Sequence, residues 1–309
     1  VIASQTRAAA AARDWNNRLF SAFLGSVLII FLVAVALVLF SNVWWLAGAR
    51  DLEGCTGCQV FLKAVRDPEV HFAIRLSLIT ALLTTIIALF VAIPSAYALS
   101  RFRLRGEKLI DTVLDLPIVI PPPVLGMSLL MLFRTPAGDA INALTPAWLV
   151  HALNWFLSVA AGHTVTDDGS TWVYTTRGIV VAQFFVVCSL AVRAVKSSFD
   201  TVGSRHEDVA RTLGCTRRQA FMQVVLPMAA SGIVAGAVMS WARAIAEFGP
   251  ILFFCSSFRW KTAVMPISMF LYYSAGRIEQ AVALVIVMVL ISTVTLLTFK
   301  KLGGRGYLW

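Results

Sequence analysis

The sequence predicts an all-α membrane protein, a polytopic bundle of six transmembrane helices, and three observations carry the prediction. Composition is the first: 59% of the 309 residues are hydrophobic and 14% are charged, against about 25% charged in a soluble domain. Mean hydropathy is +0.80, so most of the chain faces lipid or other apolar helices. The second is run length: six apolar stretches reach the roughly 20 residues that a helix needs to cross a core of about 30 Å. The third is the placement of bases within a net charge of +10. Roughly sixteen Lys and Arg fall in segments placed inside, against about nine outside. They are split among short loops: Arg101, Arg103, Arg105 and Lys108, then Arg193 to Arg218, then Lys300, Lys301 and Arg305. A nucleic-acid surface would gather them on one face with aromatics between; positive-inside topology explains them better.

The first span is placed at 20–46. Its apolar run is too long for a cleavable signal and no small-residue cleavage site follows, so it reads as an anchor that is retained. The external segment 47–72 holds Cys55 and Cys58 in a C-x-x-C. With no second pair and no nearby His, a local disulfide or two plain thiols is favoured over zinc. Span two is placed at 73–99, followed by the basic connection 100–108, and span three at 109–133. External residues 134–177 include Thr145 to Ala161 with Trp148, Trp155 and Phe156, aromatics that suit a helix at the membrane interface or a cap over the bundle. Asp139, His151, His163, Asp167 and Asp168 in this segment lack ligand spacing on one helix, so a solvated loop is favoured over a metal cluster. Span four is placed at 178–195, span five at 228–254 after a connection at 196–227, and span six at 280–299 after an external connection at 255–279. Both termini are thereby cytoplasmic. The chain divides into a tail, anchor and external segment at 1–70, a core at 71–300, and a short tail at 301–309. No internal repeat is evident.

Residues 204–227 read SRHEDVARTLGCTRRQAFMQVVLP. Ser204 with Glu207 has the S-x-x-E spacing of a capping box. Val209, Ala210 and Leu213 then share one helix face. Gly214 stands where a helix ends in the left-handed conformation. Thr216 with Gln219 repeats the capping pattern, Phe221, Val224 and Val225 give a second helix an apolar side, and Pro227 suits the opening of the next helix. The segment predicts two short amphipathic helices with a glycine bend, a natural plug for a groove on a partner; the plainer alternative is a structured connector. It resembles the EAA motif of importer permeases in the ATP-binding cassette (ABC) family: Asp208-Val209-Ala210-Arg211-Thr212-Leu213-Gly214, with Leu226-Pro227 at the expected distance. Asp208 stands for the usual Glu, with Glu207 beside it, and Val209 for the first Ala. The resemblance implies a type I importer permease whose 204–227 segment is the coupling helix that docks on a cytoplasmic ATPase.

Two further segments extend the resemblance over roughly residues 70–300. Leu116-Pro117-Ile118-Val119-Ile120-Pro121-Pro122-Pro123-Val124-Leu125-Gly126 lies in the third span, where prolines break the helical ladder; such breaks persist in a membrane when buried in protein or lining a cavity. Packing kink and path lining are both open. Trp241-Ala242-Arg243-Ala244-Ile245-Ala246-Glu247-Phe248-Gly249 ends the fifth span. Arg243 and Glu247, four apart, share a helix face and can neutralise each other, either as a structural pair or as part of an outer gate. Both segments look like the molybdate, tungstate and sulfate branch, as do Lys261-Thr262 and Pro266-Ile267. Phe248 and the short 255–262 connection tilt the substrate toward molybdate or tungstate, with sulfate or thiosulfate as the alternative. The branch implies a homodimer in the inner membrane, two ATPase subunits carrying ATP and Mg, and an external oxyanion-binding protein. The longer 134–177 segment departs from compact members of the branch.

The sequence holds no G-x-x-x-x-G-K-[ST] phosphate loop, so the chain is read as a non-enzymatic subunit with no cofactor of its own. A secondary transporter or channel would call for inverted repeats or intramembrane acids without an ATPase-docking segment such as 204–227, and a membrane enzyme for motifs such as H-E-x-x-H or G-x-S-x-G.

Overall fold

A computed structural model describes residues 2–48, 57–102, 106–162 and 172–302. Among these, every regular element is helical. The chain separates into two compact units, Val1–Phe61 and Leu62–Trp309. The first holds α1 (Ile2–Gly48), apolar from Phe20 to Gly48. Its polar side chains turn back on their own helix: Ser26 donates to Phe23 O at 2.8 Å and Ser41 to Val38 O at 2.7 Å. Such back-bonding satisfies hydroxyls that lipid could not. Cys55, and with it the C-x-x-C, lies outside the described residues, as do His163, Asp167 and Asp168.

After α2 (Gly57–Arg66) the second unit is built on α3 (Pro68–Arg101). Asp67 caps α3 by accepting from Glu69 N at 2.9 Å, and Pro68 fits the first turn, where its missing N–H costs nothing. The helix therefore exceeds the expected 73–99 at both ends, because caps and polar contacts extend it past the apolar run. Its buried face is a row of small residues: Ser77, Ala81, Thr84, Ala88, Ala92 and Ala96. Lipid is as apolar as Leu, so helices in a membrane associate through close packing, and small residues permit it. Leu82, Ile86 and Phe90 point outward at a spacing of four.

The third span is not one helix. α4 (Glu107–Val119) and α5 (Pro122–Leu132) meet at an angle of 109°. Ile120 and Pro121 are extended, with ψ near 132° and 131°, because each precedes a proline and is driven from the helical region. The expected kink is a full break. Then come α6 (Pro136–Leu144), which the sequence did not indicate, and α7 (Ala147–Ala161), which falls on the helix suggested by the aromatics of Thr145 to Ala161. The exposed Asp139 and His151 sit on these helices, and among the described residues no group of three His, Cys, Asp or Glu converges. Trp148 and Trp155 face outward while Leu157 is buried.

α8 (Thr176–Val202) is 27 residues long, against the expected 178–195. Thr175 caps its start by accepting from Gly178 N at 3.2 Å. Thr84 on α3 donates to Gln183 on α8 at 2.9 Å, and Arg101 at the end of α3 meets Phe199 and Gly203 at the end of α8. The two helices thus run parallel, side by side, and α7 crosses the end where they begin: a Cβ on Gly162 would lie 2.9 Å from Arg75 Nη1, and Trp172 Nε1 donates to Thr145 Oγ1 at 3.4 Å.

Next come α9 (Arg205–Thr212), α10 (Arg217–Ala220), one π-helical turn at Phe221–Val225, and α11 (Leu226–Ile245). α11 lies antiparallel to α8 with almost no gap. A Cβ on Gly232 would come within 2.7 Å of Ser198 Cβ, and one on Gly236 within 2.9 Å of Ala194 Cβ. Gly232-x-x-x-Gly236 is therefore a small-residue contact of the kind that lets membrane helices touch backbone to backbone. Gln183 Nε2 donates to Ala244 O at 3.0 Å, tying α11 to α8 and, through Thr84, to α3.

The expected fifth span, 228–254, ends early. α11 stops at Ile245 and α12 (Gly249–Cys255) starts after a turn. Residues 255–279, expected as an external connection, are instead a packed element containing α13 (Met265–Ser274). Thr262, Ala263, Val264, Met265 and Ile267 are all buried, Met265 N donates to Ser77 Oγ at 2.7 Å, and Thr176 Oγ1 donates to Lys261 O at 3.0 Å. Tyr272 donates to Asp67 at 3.3 Å and to Glu69 at 3.5 Å. Burial, reinforced by the carboxylates of Glu69 and Asp67, pushes its phenol well above the usual range, so it stays a donor. α14 (Ile278–Leu302) closes the unit and matches the expected 280–299. Among the described residues five helices are long and apolar enough to cross a membrane, and the α4–α5 pair makes a sixth if counted as one broken span.

Candidate functional site

Two regions gather the residues singled out in the sequence, one at each end of the α3–α8 pair. The first is 204–227. α9 begins at Ser204, but Ser204 makes no side-chain cap and is itself helical, at φ −79° and ψ −20°. The expected capping box with Glu207 does not form, because the Glu207 carboxylate is engaged elsewhere. It accepts from Tyr97 Oη at 2.7 Å and from Arg101 Nε at 3.3 Å, and the Arg101 and Glu207 side chains are only 9% and 10% exposed. Ala210, one turn further along, is buried, whereas Asp208 is exposed. Gly214 takes the left-handed conformation at φ 94°, as the bend requires. The second capping box does form: Gln219 N donates to Thr216 Oγ1 at 3.3 Å, and Thr216 N donates to Gln219 Oε1 at 2.8 Å.

The apolar residues of this segment divide between two directions. Phe221 packs on Tyr97 with centroids 4.5 Å apart and on Phe199 at 6.1 Å. Val225 is fully buried, and Leu226 packs against the same core. The apolar side expected to face a partner on the second helix thus faces the chain's own bundle. Val209 is 53% exposed and Leu213 81% exposed. These two, four residues apart on α9 and its C-terminal cap, share the side turned away from the bundle. Pro227 stands in the first turn of α11, as expected, and the helix is continuous with the π-turn before it. Leu226 N bonds five residues back to Phe221 O, and this wider turn carries the chain into α11 just where Pro227 supplies no N–H of its own. Arg217 lies over the Phe102 ring at 5.9 Å.

The second region joins the proline-rich break to the end of α11. Pro121 precedes α5, while Pro122 and Pro123 occupy its first turn. Gly126 and Gly249 are both buried. A Cβ on Gly126 would lie 2.7 Å from Pro250 Cα, and one on Gly249 would lie 2.9 Å from Pro123 N. The two segments, more than a hundred residues apart in sequence, therefore cross in backbone contact. Glycine is required on both sides, since backbone atoms cannot rotate away.

Arg243 lies in the last turn of α11, where the helix dipole favours a cation. Nη1 donates to Glu247 Oε2, and Glu247 stands just beyond the helix end, its backbone N donating to Ala244 O at 3.2 Å. The carboxylate side chain is 1% exposed and the arginine 34%. The expected pair forms, with one buried partner and one partly exposed partner. A guanidinium has five donors, so one face can satisfy Glu247 while another remains available to an anion.

Sequence reasoning missed Tyr97, Gln183, Gly232 and Gly236, and read Arg101 only as one of the inside bases. The two glycines had a legible signal in their four-residue spacing. A lone Gln in an apolar helix and a Tyr-x-x-x-Arg at a span's end carry little signal alone.

The chain is similar to the molybdate/tungstate transport system permease protein WtpB of Thermococcus kodakarensis, at 35% identity over 240 residues covering 78% of each chain. It is 29% identical to the sulfate transport system permease protein CysT of Escherichia coli K12 over 79% of this chain and 80% of that one. With the molybdenum transport system permease protein ModB of the same organism it shares 31% over 77% of this chain and 94% of that one. A solved bacterial ABC transporter that imports the acidic polysaccharide alginate has the same fold, with a TM-score of 0.68 and 16% identity over 96% of this chain and 100% of that one. Residues 85–305 match the family model of the inner membrane component of binding-protein-dependent transport systems. That stretch contains residues 204–227, the α5–α12 crossing and the Arg243–Glu247 pair, and the chain belongs to this family of multi-pass permeases of ABC importers.

Proposed function

We propose that this chain is the permease through which a tetrahedral oxyanion, molybdate or tungstate in preference to sulfate, enters the cytoplasm, driven by ATPase subunits docked on 204–227. The observation that carries the docking is the outward pair Val209 and Leu213, set on a short helix whose opposite side is anchored by Glu207 and Ala210. Apolar side chains exposed on a helix at the end of a bundle fit a groove on a partner. Three relatives named for molybdate/tungstate are 35%, 32% and 31% identical, against 29% for two named for sulfate, which supports the substrate order.

In this reading the termini and the coupling segment are cytoplasmic, following the distribution of bases. ATP and Mg belong to the docked subunits, an external binding protein delivers the anion at the opposite end, and two copies of this chain enclose the path. The open face of Arg243 meets the anion, and Glu247 tempers its charge so that the anion also leaves. The test is uptake of labelled molybdate, competed separately by tungstate and sulfate, with co-purification from native membranes in mild detergent. Tungstate should compete nearly as well as molybdate itself, and a nucleotide-binding subunit should come down stoichiometrically. Sulfate competing best would overturn the substrate, and an isolated chain would overturn the docking.

A further inference from the structure

A push on α9 moves the membrane helices only if α9 is fixed to them. Its chain connections do not fix it: α9 follows Gly203 at φ 66° and precedes Gly214 at φ 94°, two glycine joints of low backbone stiffness. Side chains supply the fixation. Arg101, the last residue of α3, donates from Nη2 to Phe199 O at 3.1 Å and to Gly203 O at 3.0 Å, the terminal carbonyls of α8. Its Nε reaches Glu207 Oε2 on α9, and Tyr97, one turn earlier on α3, donates to the other carboxylate oxygen. Ser100 adds a bond from α3 to Asp200 on α8 at 2.5 Å. Phe199 and Phe221 enclose the Tyr97 ring, with centroids 5.9 Å and 4.5 Å away.

One guanidinium therefore binds three helices at a single point, in a cluster largely shielded from water. Fixed, forked geometry of this kind is what arginine provides and lysine does not. About 25 Å along α3, at 1.5 Å per residue, Thr84 and Gln183 make the second cross-link, and Gln183 holds the carbonyl of Ala244 beside Arg243. A displacement entering at Glu207 has a bonded route to the Arg243–Glu247 pair.

We propose that Arg101 and Tyr97 are positioning residues that lock the coupling helix α9 onto the parallel pair α3 and α8 through Glu207, so that a docked ATPase subunit moves all three as one body. The inference rests on the docking reading above. It is tested with the full complex in proteoliposomes, by measuring ATP hydrolysed per anion taken up for the parental chain, Tyr97→Phe, Arg101→Gln and Arg101→Lys. The anion used is whichever of molybdate, tungstate and sulfate the parental chain transports. The ratio should rise about threefold in Tyr97→Phe and tenfold or more in Arg101→Gln, with Arg101→Lys between them and ATPase subunits recovered at parental stoichiometry. A purely structural role lowers both activities together and leaves the ratio unmoved. An unchanged ratio in Arg101→Gln, or loss of assembly in Tyr97→Phe and Arg101→Gln alike, overturns the lock while the docking reading stands. A parental chain that brings down no ATPase subunit overturns the docking, and the lock with it.

Discussion

Replacing Arg243 by glutamine should destabilise the protein far more than replacing its partner Glu247 by glutamine. The asymmetry follows from burial. The Glu247 side chain is 1% exposed and Arg243 is 34% exposed. Removing Arg243 leaves a carboxylate sealed away from water, and breaking a buried pair in this way costs about 3–5 kcal/mol. Removing the carboxylate instead loses a charge-assisted hydrogen bond of about 1.5–3 kcal/mol. Solvent screening reduces that figure if the open face of Arg243 meets water, to about 1–2 kcal/mol. The difference of about 2 kcal/mol is more than tenfold in the unfolding equilibrium. The assay is the fraction of protein that stays monodisperse in detergent after heating, for both single variants and for Arg243→Gln/Glu247→Gln, which should lie nearer the parent than Arg243→Gln does. Glu247→Gln should also keep its fold yet import more slowly, since an untempered guanidinium holds the anion. If Glu247→Gln proves as unstable as Arg243→Gln, the guanidinium is surrounded by apolar groups instead of water, and Arg243 has no place in the path.

Three other outcomes are expected. Leu213→Glu should leave thermal stability within about 0.5 kcal/mol, as surface changes do, while abolishing recovery of the ATPase subunit on co-purification. Gly249→Ala forces a Cβ to 2.9 Å from the backbone of Pro123, and overpacking of this kind costs about 1–3 kcal/mol, to be read as a lower melting temperature. Gln183→Leu removes one bond from Thr84 and one to Ala244, at about 1 kcal/mol each, and a double-mutant cycle with Thr84→Val should show coupling.

What was legible in the sequence was whatever depends on local composition. The apolar runs, the Thr216–Gln219 cap and the left-handed Gly214 each follow from residues within a few positions; the cap and the bend are found where expected, and every apolar run is helical, with the third broken and the fifth ending early. The errors share one cause, which is contact with residues remote in sequence. Ser204 and Glu207 have capping-box spacing, yet Glu207 is taken by Tyr97 and Arg101, more than a hundred positions earlier. Residues 255–279 are too short and too polar in places to read as a span, yet Ser77 and Thr176 supply the partners that let them pack inside the bundle. Hydropathy registers a run of apolar residues and not the hydrogen bonds that bury a polar one. It therefore also set the ends of α3 and α8 too short, where caps and arginine contacts extend them.

The same remoteness explains why the site could be recognised in pieces but not assembled. The prolines at 121–123 and the glycine at 249 each look like local breaks, and a local break alone does not distinguish a kink from a path. Their meaning comes from the crossing, where Gly126 and Gly249 admit the opposing backbone at under 3 Å from a would-be Cβ. Two breaks in contact make a junction at which the chain changes direction twice, held by atoms that have no rotamers to adjust. The cross-links at Arg101 and Gln183 run along α3 and α8 toward the turn that follows α11, which leads directly into that junction. Helices α3 and α8, cross-linked at two levels and leading to a broken junction at the far end, will concentrate an imposed displacement at that break. That is where the chain places Arg243, its one cation within the long apolar helix α11, with a buried counter-charge beside it.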